Sequence, residues 1–305
     1  MNTNRREFLK NTAGLAAMGA VVGCRIAGNA ETKENPIVRF GMVTDIHYAD
    51  IPEDPKPIGV VGQRYYRESK RKLDEAVSVF NRLDLDFAIE LGDFKDRSAT
   101  KAATLAHLKA IEASFAGFRG NRYHVCGNHD FDCLTEKEFF GSLENAGRPW
   151  SSGYYCFDVK GVRFIVLDCC YDSELKHYSE NNPWDDANVP SEELEWLKQT
   201  LASAPGQCVV FAHQRLDDSA EPRHIVRNVE AVRALLETSG KVKTVFTGHQ
   251  HKGGLNVQGG ITYYSLKAMV CDSGEVNNAY AVGSIYADGS YSVEAWKNAV
   301  PVGRV

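Results

Sequence analysis

No run in this 305-residue chain is long and apolar enough to make a good bilayer span; the best candidate, "NTAGLAAMGAVVGC" (Asn11 to Cys24), is short and rich in Gly and Ala. No block of basic residues occurs, and 35 Lys+Arg against 40 Asp+Glu leave a net charge of −5, which argues against nucleic acid as a partner. Also missing are internal repeats, low-complexity tracts after residue 30, a P-loop, a G-x-G-x-x-G and a G-x-S-x-G. Nucleotide-dependent phosphoryl transfer, dinucleotide redox chemistry and serine hydrolysis therefore lack their usual signals. What remains is an ordinary globular composition, 43% hydrophobic and 25% charged, with enough chain for a sizeable core.

The first thirty residues stand apart. "NRREFLK" (Asn4 to Lys10), followed by a short weakly hydrophobic segment, reads as a twin-arginine export signal, which implies the export machinery as a partner. Val21-Val22-Gly23-Cys24 also fits a bacterial lipoprotein cleavage box, with Cys24 lipidated and a lipid anchor to the membrane. A cut after Ala30, in "AGNA", is the competing reading. The expected location is the periplasm, free or membrane-anchored. Loss of residues 1–23 removes three basic residues and one acidic one, so the charge moves from 35 − 40 = −5 to 32 − 39 = −7.

Eight cysteines could suggest a disulfide framework, but Cys126, Cys156, Cys169, Cys170 and Cys208 lie in or beside apolar, strand-like runs. Removing Cys24 leaves an odd number, so buried reduced thiols are expected, with one bridge at most. Residues 36–305 contain no linker and read as one catalytic domain. Strand-like runs at "VRFGMVT", "LDFAIELGD" and "RYHVCGNH" alternate with helical spacing over Arg67–Arg82 and at Leu105, Leu108, Ile111 and Phe115. A hairpin is expected around Lys160-Gly161 and another around Asp288-Gly289; Ser191 reads as the N-cap of a helix, and a further helix is expected near Asn228–Thr238. The order predicts an α/β fold with mixed sheets.

The ends of the strands carry the chemistry. The first stops at Asp45-Ile46-His47, the second at Gly92-Asp93 and the third at Gly127-Asn128-His129-Asp130; later ones stop at Ala212-His213 and Gly248-His249-Gln250-His251. Each fragment alone is nearly noise. Five in order, each after an apolar run, place oxygen and nitrogen donors where α/β sheets build their sites. Asp45, His47, Asp93, Asn128, His213, His249 and His251, with one bridging carboxylate, suffice for two divalent ions and leave room for water. A water shared by two such ions loses its proton near neutral pH and attacks phosphorus in line. All-N/O ligands suit Mn, Fe and Zn alike; because twin-arginine export moves folded protein, loading in the cytoplasm favours Mn or Fe.

The ordered set D-x-H, G-D, G-N-H-D, H and G-H-x-H resembles the calcineurin-like metallophosphoesterases, over residues 38–295. The resemblance implies a four-layer α/β/β/α sandwich with two mixed sheets. It implies one metal on Asp45, His47, Asp93 and His251, and a second on Asp93, Asn128, His213 and His249. His129 becomes the general acid or a stabiliser of transition-state charge, and Asp130 its orienting partner. A narrower resemblance, carried by "DIHYADIPED", "QRYYRESKRKLDEAV", "ELGDFKD", "GNHDF" and "NNAYAVGSIYADG", is to the manganese-dependent ADP-ribose/CDP-alcohol diphosphatases. It implies a small phosphorylated substrate derived from a nucleoside diphosphate, with Arg64, Tyr66 and Arg67 on the substrate side. The sequence departs from that branch at Lys267, at "AHQRL" and between Ala49 and Gln63, where no aromatic residue stands. Asp96 occupies the position at which purple acid phosphatases carry a metal-binding Tyr. Alternatives are a phosphodiesterase or phosphomonoesterase acting on lipid head groups or cyclic nucleotides and, in another class, a non-catalytic metal-bearing binding protein.

Four histidines fall outside these motifs. His107 is expected on an exposed helix face, His124 beside the third strand, and His177 and His224 on the surface. Asp168 reads as a loop anchor. Trp184, in a polar loop, is either a mobile lid over the substrate or a pin that holds the loop to the core.

Overall fold

Val38, Phe40 and Met42 alternate with Arg39, Gly41 and Val43 along β1 (Val38–Val43), and both faces of the strand are covered. Phe40 points into a core between two sheets, whereas Val43 joins a second core beneath helices. This two-sided burial is why the run reads as nearly continuous apolar sequence. The computed structural model describes residues 35–54, 63–147, 152–180 and 182–305; the expected export signal and Cys24 cleavage box lie outside them.

In the first sheet, β1 pairs in parallel with β2 (Phe87–Glu90), which pairs in parallel with β3 (Asn121–His124). On the other side β1 pairs antiparallel with β10 (Ala279–Ile285), and β10 with β11 (Tyr291–Lys297). The second sheet runs in the order β4 (Tyr155–Val159), β5 (Val162–Val166), β6 (Cys208–Phe211), β7 (Val242–Thr247), β9 (Ile261–Ser265), β8 (Gly254–Gln258). It is parallel from β5 to β9, with antiparallel hairpins at both edges. Phe40, Phe87, Phe164, Phe211 and Phe246 interlock between the sheets; Phe40 stacks on Phe87 at 5.1 Å and meets Phe164 edge-on at 5.5 Å.

Helices close the outer faces. α1 (Glu68–Phe80) and α2 (Lys101–Phe115) cover the first sheet with Leu73, Ala76, Phe80, Leu108, Ile111 and Phe115. α4 (Ser191–Ala202) and α5 (Val229–Ser239) cover the second with Leu197, Leu201, Val232 and Leu236. The result is the four-layer α/β/β/α arrangement. Ser191 is the first residue of α4 rather than its cap, a position Pro190 takes. Two elements escaped the sequence reading: the short α3 (Glu136–Phe140), whose Thr135 and Glu138 form a capping box, and the edge strand β8. The Gly259-Gly260 pair between β8 and β9 is a hairpin signal that could have revealed the latter.

Candidate metal centre

The parallel strands β1, β2, β3, β6 and β7 all deliver their carboxyl ends to one place. There the chain turns sharply, and Asp45, His47, Asp93 and His249 all take positive φ angles, between 46° and 63°. Such conformations cost energy in non-glycine residues and persist where the surroundings enforce them. The turns lock together through the backbone: the Asp45 amide donates to the Gly92 carbonyl at 3.0 Å, and the His47 amide to Asp93 at 2.8 Å. Gly248 is needed because a Cβ there would collide with Thr44 and the Asp45 carboxylate.

Asp45, His47, Asp93, Asn128, His213, His249 and His251 meet at this point, and all are buried. One half gathers Asp45, His47 and His251, the other Asp93, His213 and His249. Four of these side chains are held from behind. His47 Nδ1 faces Asp96 Oδ2 at 3.1 Å, and His213 Nδ1 donates to the Leu91 carbonyl at 2.7 Å. Asp45 Oδ2 accepts from Thr44 Oγ1 and the His249 amide; Asp93 Oδ1 accepts from the His129 amide. With Nδ1 as the donor, His47 and His213 turn Nε2 inward. His47 Nε2 and His251 Nε2 then face one another at 3.2 Å, with Asp45 Oδ1 3.3 Å from His251 and Asp93 Oδ2 3.4 Å from His47 and 3.1 Å from His213. Asp45 Oδ1, Asn128 Oδ1, His213 Nε2 and His249 Nε2 are buried without a hydrogen-bond partner. Acceptors packed against acceptors in a dry site are strongly unfavourable without a cation, so this donor set fits divalent metal. Burial alone would raise the Asp45 carboxyl, but His251 and His47 hold it well below the usual carboxylate range.

Other residues differ from expectation. Asp130 does not touch the His129 ring: its carboxylate accepts from the backbone amides of Asp93, Phe94 and Gly127. The ring's Nδ1 instead meets Asp132 Oδ2 at 2.7 Å, one turn on in the 3-10 turn Asn128–Phe131 and its cap. Burial would lower His129, but Asp93 and Asp132 outweigh it and push it up to about 9. Lys95, fully buried, ties the turn from below through the His129 and Asp132 carbonyls. Arg64 lies beside the centre, its guanidinium 3.6 Å from Asp96 and in contact with Tyr66. Arg67 does not join it; its Nε donates to Asp50 at 2.6 Å on the surface, because the start of α1 turns the side chain outward. The supporting roles of Asp96, Asp132 and Lys95 were missed because they act through neighbours in space, although "NHDFD" places Asp132 three residues after His129.

The remaining histidines are more engaged than expected. His107 is buried under the loop after β1, where its Nε2 accepts from the Asp50 amide at 3.2 Å. His124 lies inside β3 between Glu90 and Glu112. His177 grips the buried carboxylate of Asp168 at 3.0 Å, and Asp168 anchors its own loop through the Cys170 amide. His224 packs at 5.0 Å against His249. The seven cysteines from Cys126 to Cys271 are all free thiols.

Comparison with known proteins agrees with this centre. The sequence pattern of the family described as calcineurin-like phosphoesterase matches residues 38–253. A protein from Oryza sativa subsp. japonica, named manganese-dependent ADP-ribose/CDP-alcohol diphosphatase, is 31% identical over 85% of this chain and 91% of its own length. One of the same name from Arabidopsis thaliana is 29% identical over 80% and 90%. The crystal structure of a dimetal phosphatase from Danio rerio superposes with a TM-score of 0.78 at 21% identity, covering 89% of this chain and all of the other, which bears on the fold.

Proposed function

The chain belongs to the calcineurin-like phosphoesterase family as a metal-dependent phosphoester hydrolase, and we propose that it uses two divalent ions, manganese foremost, to hydrolyse the phosphoanhydride of a nucleoside diphosphate derivative. The observation that supports this best is the convergence of seven buried oxygen- and nitrogen-bearing side chains, four of which have an inward atom without a hydrogen-bond partner, described above. Asp45, His47, Asp93 and His251 would hold one ion; Asp93, Asn128, His213 and His249 the other. Two such ions supply positive charge at the phosphoryl oxygens and an activated water for in-line displacement.

The chain's own residues do the rest. Asp93 contributes through Oδ2, between His47 and His213, while its Oδ1 holds the His129 turn. His129, with Nδ1 committed to Asp132, presents Nε2 to donate a proton to the departing oxygen. Asp130 fixes the turns that carry Asp93 and His129 by gathering their amides. Arg64, held by Asp96, offers a planar fork to a second phosphate, and its buried Nε has no partner among the described residues. The names of the rice and Arabidopsis relatives supply the substrate class, ADP-ribose and CDP-alcohols. With this goes the proposal that residues 1–30 direct twin-arginine export, followed by anchoring through Cys24; mass spectrometry of the mature N-terminus tests it.

The functional test is a substrate panel on manganese-loaded protein, comparing ADP-ribose, CDP-alcohols, aryl phosphomonoesters and aryl phosphodiesters, with His129→Ala as control. Preference for the nucleotide anhydrides supports the proposal. Turnover of simple esters alone would limit it to the phosphoesterase chemistry, and absence of turnover with any metal would favour a binding protein.

A further inference from the structure

Beside the His249 half of the centre stands a wall made from two loops. Trp184 comes from the loop between β5 and α4. Its indole lies 5.7 Å from the His249 ring and 5.3 Å from the His224 ring. His224 itself is 5.0 Å from His249. The Arg223 guanidinium sits 4.5 Å over the indole, and its Nε donates to Asp185 at 2.7 Å. Further on, Arg227 pairs with Asp186 at 2.6 Å and its amide donates to the Ala187 carbonyl, while Asn228 bonds both backbone groups of Val189. The 223–228 segment is in turn bonded to both backbone groups of Arg215, two residues after His213.

Trp184 is therefore pinned rather than mobile. The stitching holds an aromatic surface at the edge of a polar, charged site. His224 Nδ1 is buried without a hydrogen-bond partner among the described residues, with Glu221 Oε2 4.0 Å away. The imidazole is nonetheless partly exposed, and such a ring beside an indole is suited to a flat heteroaromatic ring with hydrogen-bonding edges. Arg64 and Asp96 lie by His47, in the other half of the centre. A phosphate reacting between the halves would thus have a cation on one side and an aromatic wall on the other.

We propose that Trp184 and His224 form the recognition wall for the base of a nucleotide substrate, while Arg64 takes the second phosphate. The inference deepens the reading of the site as a nucleoside diphosphate hydrolase and rests on it for the choice of base. It also gives the chain an aromatic near its centre from a loop other than residues 49–63, which bring none.

The test compares product inhibition by AMP and by inorganic phosphate, using any substrate the manganese-loaded protein turns over, in wild type, Trp184→Ala, Trp184→Phe and His224→Ala. Base–aromatic contacts of this kind predict that Trp184→Ala weakens AMP inhibition about tenfold, with inhibition by phosphate shifting less than about twofold. Trp184→Phe is expected near wild type, and His224→Ala to shift in the same direction by less. Equal weakening for AMP and phosphate would mean that the wall only supports the metal centre; no weakening for either would mean that the base lies elsewhere. Both overturn the inference. Should Trp184→Ala lose its fold by circular dichroism, His224→Ala gives the same comparison without removing the indole. Failure of wild type to hydrolyse ADP-ribose would sink the functional proposal while leaving the AMP-against-phosphate comparison readable.

Discussion

A single carboxylate decides what His129 can do. Asp132 fixes Nδ1 as a donor at 2.7 Å, so on the proposed mechanism Nε2 would be the nitrogen left for the departing group. His129→Ala should lower kcat by roughly 10²–10⁴-fold, the usual contribution of a positioned proton donor. Asp132→Asn should lower it by about 10–100-fold with little change in KM. The loss should be larger for a poor alkoxide leaving group than for a nitrophenolate, which needs no proton; equal losses across leaving groups would mean that Asp132 only holds the turn. Sequence motifs picked out residues that the structure gathers at one place, because each lies at the end of an apolar run and parallel strands finish on one side of their sheet. They misassigned Asp130, because adjacency in sequence says nothing about where a carboxylate points. Asp130 turns back to the amides of Asp93 and Gly127, and the 3-10 turn brings the more distant Asp132 to the ring.

At the scale of elements, the strand ends must approach closely enough for their residues to share ions. Gly127 at the end of β3 packs against Asp93 after β2, and a Cβ there would collide with the Asp93 amide and carboxylate. Gly127→Ala is therefore expected to destabilise the protein by roughly 1–3 kcal/mol and to reduce metal binding, read by thermal unfolding and by metal analysis of the same sample. A second link ties β2, β3 and α2: His124 lies between Glu90 at 3.0 Å and Glu112 at 3.3 Å. Burial alone would lower His124, but Glu112 and Glu90 raise it to about 9. The folded value lies above the unfolded one of about 6.5. The stabilisation is therefore complete below about pH 6.5 and fades as pH rises through about 9. The stability advantage of wild type over His124→Asn should shrink between about pH 7 and about pH 10; an advantage that grows would reverse the assignment. Of the strands at this link, β2 was legible because two-sided burial makes Phe87, Ala88 and Ile89 a continuous apolar run, whereas β3 was legible only through Tyr123 and the buried Val125 and Cys126 that follow it. The edge strand β8 was not, since Leu255 and Val257 face solvent and only its Gly259-Gly260 turn marks it.

Over the whole molecule, two sheets back to back leave one end at which parallel strands finish together, and the buried charge is concentrated there. Asp45, Asp93, Asp96 and Asp130 are all buried within this end, with Arg64 and Lys95 as nearby cations. Such a cluster is costly in the metal-free state, so metal should stabilise the fold by mass action, by about 2.7 kcal/mol at free metal one hundred times Kd. A chelator should accordingly lower Tm, and restoring manganese should recover it. In the proposed centre one carboxylate, Asp93, serves both ions. The most direct measurement titrates metal-free protein with manganese while following ADP-ribose hydrolysis and bound metal, in wild type and Asp93→Asn. Hydrolysis that rises to a plateau at two bound ions in wild type, with both ions and activity lost in Asp93→Asn, is the expected result. A plateau at one ion, or an Asp93→Asn protein that keeps two ions and its activity, would contradict a shared dinuclear centre.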